Sequence, residues 1–278
     1  MFRNYFKTAI RNLVKSKGYS AINIGGLAVG MAVVMLIGLW IWDELAYDKY
    51  HKNYDKIAQV MQHQTYNGEV FTQTSNPAAM GAEIRNKFGS DFKYVIQSSW
   101  NFEHTLSFAD KKFLKAGSYM EPGVIDMLSL NMLKGGKDAL KDPYSIVVSK
   151  SVATAFFGGD DPINKTLRID NKVDVKVTGV YEDLPYNTAF RDINYILTWD
   201  LYLTQNPWIQ KMENPWGSNF TQTFAQIADN ADMDKVSTKI RNVKREALKG
   251  HTEELRYNPV VFLHPMNKWH CMEISKTE

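Results

Sequence analysis

The longest apolar run in the chain lies near its N-terminus, between Lys17 and Asp43, where twenty-five consecutive residues carry no charge. At about 1.5 Å per residue, a helix of this length crosses a hydrocarbon core of about 30 Å. Aromatic residues of the type that favours membrane interfaces flank the run at its two ends: Tyr19, Trp40, Trp42 and Tyr47. The pattern therefore predicts a transmembrane helix over residues 19–42.

An amphipathic pattern precedes this run. Apolar residues recur at spacings of three and four from Phe2 to Val14, which is one face of a helix. The cations that precede the apolar run are Arg3, Lys7, Arg11, Lys15 and Lys17. We predict a basic helix over residues 1–18 that contacts the membrane surface, with these five cations against anionic lipid. A helix that packs on a cytoplasmic protein shows the same stripe, so this alternative stays open.

Charge also predicts how the transmembrane helix is oriented. Cations alone precede the run, whereas Asp43, Glu44 and Asp48 follow it. The positive-inside bias then places the N-terminus in the cytoplasm and residues 43–278 outside. A secretory signal peptide has a similar basic start, but its apolar region is shorter and ends at a small-residue cleavage site. We therefore expect the helix to stay attached as an anchor.

Two glycines on the predicted membrane helix have a spacing that suits helix packing. Gly26 and Gly30 are one turn apart, and a small-xxx-small pair lets a second helix approach closely. Because glycine is frequent in membrane helices for other reasons, a dimer formed through this pair is one of two interpretations.

The remainder of the chain mixes the two periodicities, which predicts an α+β domain, with α/β as the alternative. Helices are predicted over 76–88, with Asn76 as its cap, over 149–157, and over 232–249, with Asp232 as its cap. Strands are predicted over 105–108, 112–116, 144–148, 166–169, 173–181, 220–228 and 260–263. We expect the last helix to cross between the last two strands. Residues 185–217 are predicted to be a loop-rich segment whose tryptophans either pack internally or form a partner surface.

Composition narrows the class of protein. The chain is 44% hydrophobic and 23% charged, which excludes a disordered chain. Its mean hydropathy of −0.35 indicates that any membrane portion is local. The net charge of +3 arises from the five N-terminal cations, because the remaining 28 basic residues face 30 acidic ones. A nucleic-acid partner is therefore not expected. The single cysteine, Cys271, allows no intramolecular disulfide.

No sequence motif indicates catalysis. The segment from Gly159 to Thr166 has the length of a phosphate-binding loop, but Asn164 replaces the second glycine and two aspartates would repel phosphate. The six histidines have no metal-ligand spacing, and no Gly-x-Ser-x-Gly elbow occurs. We expect no enzyme activity, no metal and no cofactor.

The order of five segments is more informative than any single site. They are Asn4–Leu13, Tyr19–Met31, Asp43–His51, Ile146–Gly158 followed by Asp161-Pro162, and Val177–Pro185. In this order they resemble the N-terminal part of MacB-like, FtsX-like permease subunits of bacterial ABC-type systems. Each segment alone is a weak signal, whereas their shared order is specific.

The resemblance implies an inner-membrane protein with one N-terminal membrane helix followed by a periplasmic core domain, residues 43–270, of mixed strands and helices in two lobes. It implies a non-catalytic permease subunit for export or mechanotransmission, which relays motion from a cytoplasmic ABC ATPase. It also implies pairing with a second copy or a related permease. Residues 271–278 depart from the family pattern and lead us to expect a truncated chain that lacks the ATPase contact region. The alternative is a single-pass receptor with an extracytoplasmic ligand-binding domain.

Overall fold

The computed structural model describes residues 2–269, which form two compact units that divide after Tyr47. The first unit consists of α1 (Phe2–Lys15) and α2 (Lys17–Ala46), separated by a break at Ser16. Helix α2 contains the whole predicted membrane segment, and it ends where Tyr47 adopts extended backbone. The tail at 271–278 lies outside the described residues.

The second unit, which begins at Asp48, is a mixed domain of strands and helices, as predicted. Its strands are β1 (Ile57–Tyr66), β2 (Glu69–Gln73), β3 (Phe92–Ser98), β4 (Phe102–Phe108), β5 (Lys111–Met120), β6 (Met132–Lys134), β7 (Ser145–Ser149), β8 (Thr166–Ile169), β9 (Val173–Tyr181), β10 (Tyr195–Thr198), β11 (Gln222–Ile227) and β12 (Val260–Pro265). Its helices are α3 (Met80–Phe88), α4 (Val124–Met127), α5 (Lys150–Phe157), α6 (Trp199–Gln205), α7 (Met233–Ile240), α8 (Val243–Ala247) and α9 (Thr252–Leu255).

Six of the strands close into a barrel. Neighbouring strands follow the order β10, β7, β9, β8, β4 and β5, and β5 pairs in parallel with β10 to complete the ring. Alternate residues along these strands point inward, so that Val175 and Val177 of β9 lie in one apolar core with Phe156 of α5 and Leu201 of α6. We call this group of strands and helices the barrel lobe.

The other main strands form an open sheet in the order β3, β11, β1 and β12, with β2 paired to the outer half of β1. Strands β11 and β12 flank β1 and are both antiparallel to it, so they run parallel to each other. Helices α7 and α8 connect them, which confirms the predicted crossover. Apolar residues of α3, α7 and α8 pack on this sheet, among them Met80, Ile84, Val236, Ile240 and Val243. We call this group the open-sheet lobe.

Several predicted element boundaries are confirmed. Strands β8 and β9 have the predicted bounds, and the hydroxyl of Ser149 caps α5 by accepting from the backbone N–H of Val152. Asp232 caps α7, because its carboxylate accepts a hydrogen bond of 2.9 Å from the backbone N–H of Lys235. Helix α5 is followed by Gly158, whose φ of +61° suits a residue without a side chain.

Two helix predictions were wrong in their bounds. The helix predicted over 232–249 is interrupted between α7 and α8, where the carbonyl of Arg241 accepts from the backbone N–H of Val261 in β12 at 3.0 Å. The helix predicted to begin at Asn76 begins at Met80. Asn76 is hydrogen-bonded to the sheet instead, because its side chain donates to the Val60 carbonyl at 2.7 Å.

The prediction of a loop-rich segment over 185–217 was partly wrong, because the segment contains both β10 and α6. Trp199 is 6% exposed in the core of the barrel lobe, and Trp216 packs against the core of the open-sheet lobe. Trp208 is half exposed. Internal packing thus accounts for two of its tryptophans. Strands β1, β2, β3 and β6 were not predicted.

Candidate functional site

Helix α1 carries its charges and its apolar residues on separate faces. The cations Arg3, Lys7, Arg11 and Lys15 follow at intervals of four residues, and all are exposed. The large apolar side chains of α1 are exposed as well, by 46% to 73%: Tyr5, Phe6, Ile10, Leu13 and Val14. An apolar helix face without protein cover is typical of a helix that lies on a membrane surface or on a partner. The membrane-surface role of these cations and of Lys17 stays a prediction.

Helix α2 is apolar around its whole circumference. Its large apolar side chains are between 45% and 77% exposed. By length and composition, α2 can cross a membrane, and it is the one such helix among residues 2–269. A helix that is apolar on every side needs apolar surroundings, which residues 2–269 do not supply.

The aromatic residues predicted to lie at the membrane interfaces occupy the two ends of α2. Tyr19 is 74% exposed, and Trp40 and Trp42 are 63% and 76% exposed. Tyr47 follows the helix and is half buried. The glycines Gly26 and Gly30 have open space around them, since no described atom beyond the adjoining residues and the helix's own backbone lies within 4 Å of where a Cβ would stand. The interfacial belt and helix packing through the glycines stay predictions.

The core domain begins with a buried, hydrogen-bonded carboxylate. Asp48 is fully buried, with the left-handed φ of +59°. Its Oδ1 accepts hydrogen bonds from the Thr188 hydroxyl and from the Ala189 backbone N–H, both at 2.8 Å. Its own backbone N–H donates to the Asn187 carbonyl at 2.9 Å. The first turn of the domain is therefore fastened to the segment 187–189, about 140 residues further along the chain.

A buried histidine completes this arrangement. His51 is fully buried, with Nδ1 at 2.7 Å from the Leu128 carbonyl oxygen and Nε2 at 2.9 Å from the Thr188 hydroxyl. The ring also packs edge-on against Phe190 and Tyr50. Burial lowers the pKa of His51, while the Leu128 carbonyl and the charge of Asp48 act to raise it. We call Asp48, His51, Thr188 and the Leu128 carbonyl the Asp48 cluster.

Sequence reasoning did not identify the Asp48 cluster. Both Asp48 and His51 lie within one of the segments that carry the family resemblance, which was the available signal. Thr188 is far away in sequence, inside the segment predicted to be loop-rich, and no local pattern connects it with the other two residues.

A buried cation lies in the open-sheet lobe. Lys244 of α8 is 2% exposed, and its Nζ donates to the Gln62 side-chain oxygen at 2.9 Å and to the Asn219 side-chain oxygen at 2.8 Å. Both acceptors are neutral amides. Burial lowers the pKa of Lys244 to about 8, although Glu254 opposes part of this shift. The interior of this lobe thus contains a titratable group that hydrogen bonds alone hold in place.

A cleft of about 160 Å³ lies where the open sheet and the barrel diverge. Its polar lining residues are uncharged, and the rest of its lining is apolar or aromatic. The polar residues are Gln59, Asn101, Ser118 and Gln222, and the larger apolar ones are Met120, Phe190, Ile193, Phe224 and Trp269. Such a lining suits a small neutral group.

No cluster of three or more His, Cys, Asp or Glu side chains suited to a metal ion occurs within the described residues. The segment from Gly159 to Thr166 connects helix α5 to strand β8, which is the reverse of the strand-loop-helix order of a phosphate-binding loop. Asp161 accepts from the Ile163 backbone N–H and from Lys134 there. This geometry is that of a connecting turn.

The fold and the exposed helix define a class of protein, in which an apolar helix leads directly into an α+β domain made of a barrel and an open sheet. The family model of the MacB-like periplasmic core domain matches residues 20–243. The chain therefore belongs to the MacB-like periplasmic core domain family. No protein of curated function matches it by sequence.

Solved structures show the same fold. A domain of a protein described as a permease from Porphyromonas gingivalis is similar at a TM-score of 0.63 and 18% identity, covering 77% of this chain and 90% of that one. The periplasmic region of MacB from Actinobacillus actinomycetemcomitans is similar at 0.52 and 16%, covering 77% and 94%. The extracellular domain of the noncanonic ABC-type transporter YknZ from Gram-positive bacteria is similar at 0.50 and 16%, covering 74% and 99%.

Proposed function

We propose that this chain is a permease subunit of an ABC-type export or mechanotransmission system. In this proposal α2 anchors the core domain to the bacterial inner membrane, and the core domain moves in response to a cytoplasmic ABC ATPase. The observation that supports it is the direct succession of an uncovered apolar helix and a MacB-like core domain.

The short connection between helix and domain favours a relay of motion. Helix α2 ends at Ala46, and Asp48 is already buried and hydrogen-bonded within the core domain. A single residue thus separates the two, whereas a long flexible linker would dissipate a displacement of the helix. Movement of α2 in the membrane would therefore act on the first turn of the core domain.

The orientation and the partners follow from the N-terminal segment. With the cations of α1 in the cytoplasm, the core domain is periplasmic. The apolar face of α1 lies in the headgroup layer of the membrane, and its basic face contacts anionic lipid. The open faces at Gly26 and Gly30 accommodate a second membrane helix, from another copy of this chain or from a related permease.

Affinity purification of the intact chain from membranes, with and without ATP, tests the proposal. We expect an ATPase of the ABC class to co-purify with the native chain when a related permease that supplies the ATPase contact region is co-expressed. The matched control replaces residues 2–47 with an unrelated single-span anchor and keeps the core domain, and it should lose the ATPase. Recovery of the ATPase with both proteins, or with neither of them, contradicts the proposed relay.

The receptor alternative is favoured by one observation, the uncharged cleft whose lining includes Ser118 and Trp269. Thermal unfolding of the chain in detergent with a panel of small neutral compounds tests it. Stabilisation that Ser118→Leu removes would support a ligand-binding role, and an unchanged midpoint across the panel would oppose it.

A further inference from the structure

The Asp48 cluster contains three polar contacts of hydrogen-bond length. They connect Nδ1 of His51 to the Leu128 carbonyl at 2.7 Å, Nε2 of His51 to the Thr188 hydroxyl at 2.9 Å, and that hydroxyl to Oδ1 of Asp48 at 2.8 Å. Each contact needs one proton. A carbonyl oxygen only accepts, so the first proton resides on Nδ1 of His51.

A neutral histidine and an ionised aspartate leave the cluster one proton short. The imidazole supplies the proton on Nδ1, and the threonine hydroxyl supplies one more. If Thr188 donates to Asp48, the lone pair of Nε2 faces the lone pairs of the hydroxyl oxygen. If Thr188 donates to His51 instead, that oxygen faces the carboxylate. In either case one of the two contacts of Thr188 is repulsive.

A third proton removes this conflict. Placed on Nε2 of His51, it gives an imidazolium that donates to Thr188, which in turn donates to the Asp48 carboxylate. Placed on Asp48, it reverses the direction of both bonds. Either arrangement satisfies all three contacts and makes the cluster neutral overall, whereas loss of the proton leaves a net negative charge in a fully buried site.

Among the described residues, few charged groups lie near the added proton. From the segment 187–190, Thr188 and Phe190 face the ring, and from the end of α4 the Leu128 carbonyl faces it. On its own turn, Tyr50 contacts the ring edge, and Asp48 is the charged group that acts on His51 among the residues described. Burial alone opposes protonation, because it lowers the pKa of His51.

We propose that Asp48, Thr188 and His51 form one proton-binding site. All three contacts are hydrogen bonds when the third proton is bound, and one of the two Thr188 contacts breaks when the proton leaves. Asp48 is the first residue of the core domain, so proton occupancy controls how tightly the first turn is held to the segment 187–189. The proposal rests on the geometry of the core domain and does not depend on an ATPase or on export.

The test is a titration followed by NMR, using the full chain in lipid nanodiscs with ¹⁵N-labelled histidine and ¹³C-labelled aspartate. The variants His51→Gln and Asp48→Asn identify the two signals by their loss. As the pH falls, we expect a single transition in the Nε2 signal of His51, accompanied by a change in the Asp48 carboxyl signal, while Nδ1 of His51 stays protonated.

Substitutions of Thr188 distinguish a proton-binding site shared by the three residues from the titration of His51 alone. Thr188→Val removes the connecting hydroxyl and should weaken proton binding about tenfold, which lowers the midpoint by about one pH unit. Thr188→Ser keeps a hydroxyl and should keep the midpoint. Thr223→Val removes another fully buried hydroxyl, in the open-sheet lobe, and should leave the midpoint unchanged.

The result that overturns the proposal is the absence of any transition in the Nε2 signal of the wild-type chain at the pH values at which the chain stays folded. Equal midpoints for Thr188→Val and Thr188→Ser overturn it as well. If Thr188→Val does not fold, the wild-type titration and the midpoint of Thr188→Ser still decide the question.

Discussion

Helix α2 and the barrel lobe contain the same kinds of apolar residue and expose them to opposite extents. Large apolar side chains of α2 are 45% to 77% exposed, whereas those of the barrel core are 0% to 9% exposed. In β9, apolar residues alternate with polar ones and therefore form one face, which other strands of the chain cover. In α2 there is no polar face, so only an apolar solvent can surround it. The pattern of apolar residues thus distinguishes a protein core from a helix suited to a membrane.

The largest expected effect comes from charging α2. We predict that Val33→Arg combined with Leu36→Arg prevents stable insertion, because each arginine near the helix centre costs about 3 kcal/mol and each lost aliphatic residue about 0.5 kcal/mol. The measurement is the fraction of chain that resists alkaline extraction from membranes. Alanine at the same two positions is the control and should leave most of the chain in the membrane. Equal retention of the two variants would contradict the anchor role.

The next effect is expected in the barrel lobe. Phe156 is 2% exposed, and Phe156→Ala should destabilise the core domain by about 3 to 5 kcal/mol, because it leaves a cavity. Leu114 of the same lobe is 60% exposed, and Leu114→Ala should change stability by less than about 0.5 kcal/mol. Chemical unfolding of the chain in detergent micelles measures both. A similar loss for the two variants would mean that the barrel core is not the source of stability.

The stability of the open-sheet lobe should depend on pH, whereas the apolar core of the barrel lobe should not contribute such a dependence. Burial lowers the pKa of Lys244 to about 8, from an ordinary value of 10.5. Between these values the unfolded chain holds a proton that the folded chain lacks, so the free energy of unfolding rises with pH. The full rise is on the order of 3 kcal/mol. Lys244→Met should remove it, as measured by chemical unfolding from about pH 8 to about pH 10.

A surface lysine provides the control for this comparison. Lys249 is exposed just beyond α8, and Lys249→Met should keep the wild-type rise with pH. If Lys244→Met and the wild-type chain gain stability equally across this range, the buried amine is not responsible.

The smallest effect concerns α1. Lys7→Gln combined with Arg11→Gln should weaken its contact with anionic membranes by about 2 kcal/mol, at about 1 kcal/mol per cation. Hydrogen exchange of α1 in anionic nanodiscs measures this as reduced protection, and neutral nanodiscs should abolish the difference between variant and wild type. Equal protection in both lipids would favour a protein partner for α1.

The sequence predicts best the elements whose pattern is local. Strand β9 alternates along its length and has the predicted bounds, and α2 follows from its composition. Strand β1 was not predicted because Gln62 and Gln64 are buried within it, where they form hydrogen bonds to other side chains. The partner of Gln62, Asn219, lies 157 residues further along the chain, so no window of sequence reveals it.

Tertiary hydrogen bonds also explain the wrong helix bounds. The bond from Val261 to the Arg241 carbonyl divides the helix predicted over 232–249 into α7 and α8. The bond from Asn76 to the Val60 carbonyl removes the cap predicted for the helix over 76–88, which became α3. The Asp48 cluster is of the same kind, since it unites residues up to 140 positions apart. Local pattern identified the apolar helix α2, whereas the polar sites inside the core domain depend on the fold.

The most direct test of the account is protease treatment of intact spheroplasts that express the full chain. If α2 spans the membrane with α1 inside, the protease should degrade the core domain from outside and leave a small fragment containing α1 and α2, while a cytoplasmic marker stays intact. A core domain that survives in intact spheroplasts, and is degraded only after lysis, would contradict the proposed orientation and the function built on it.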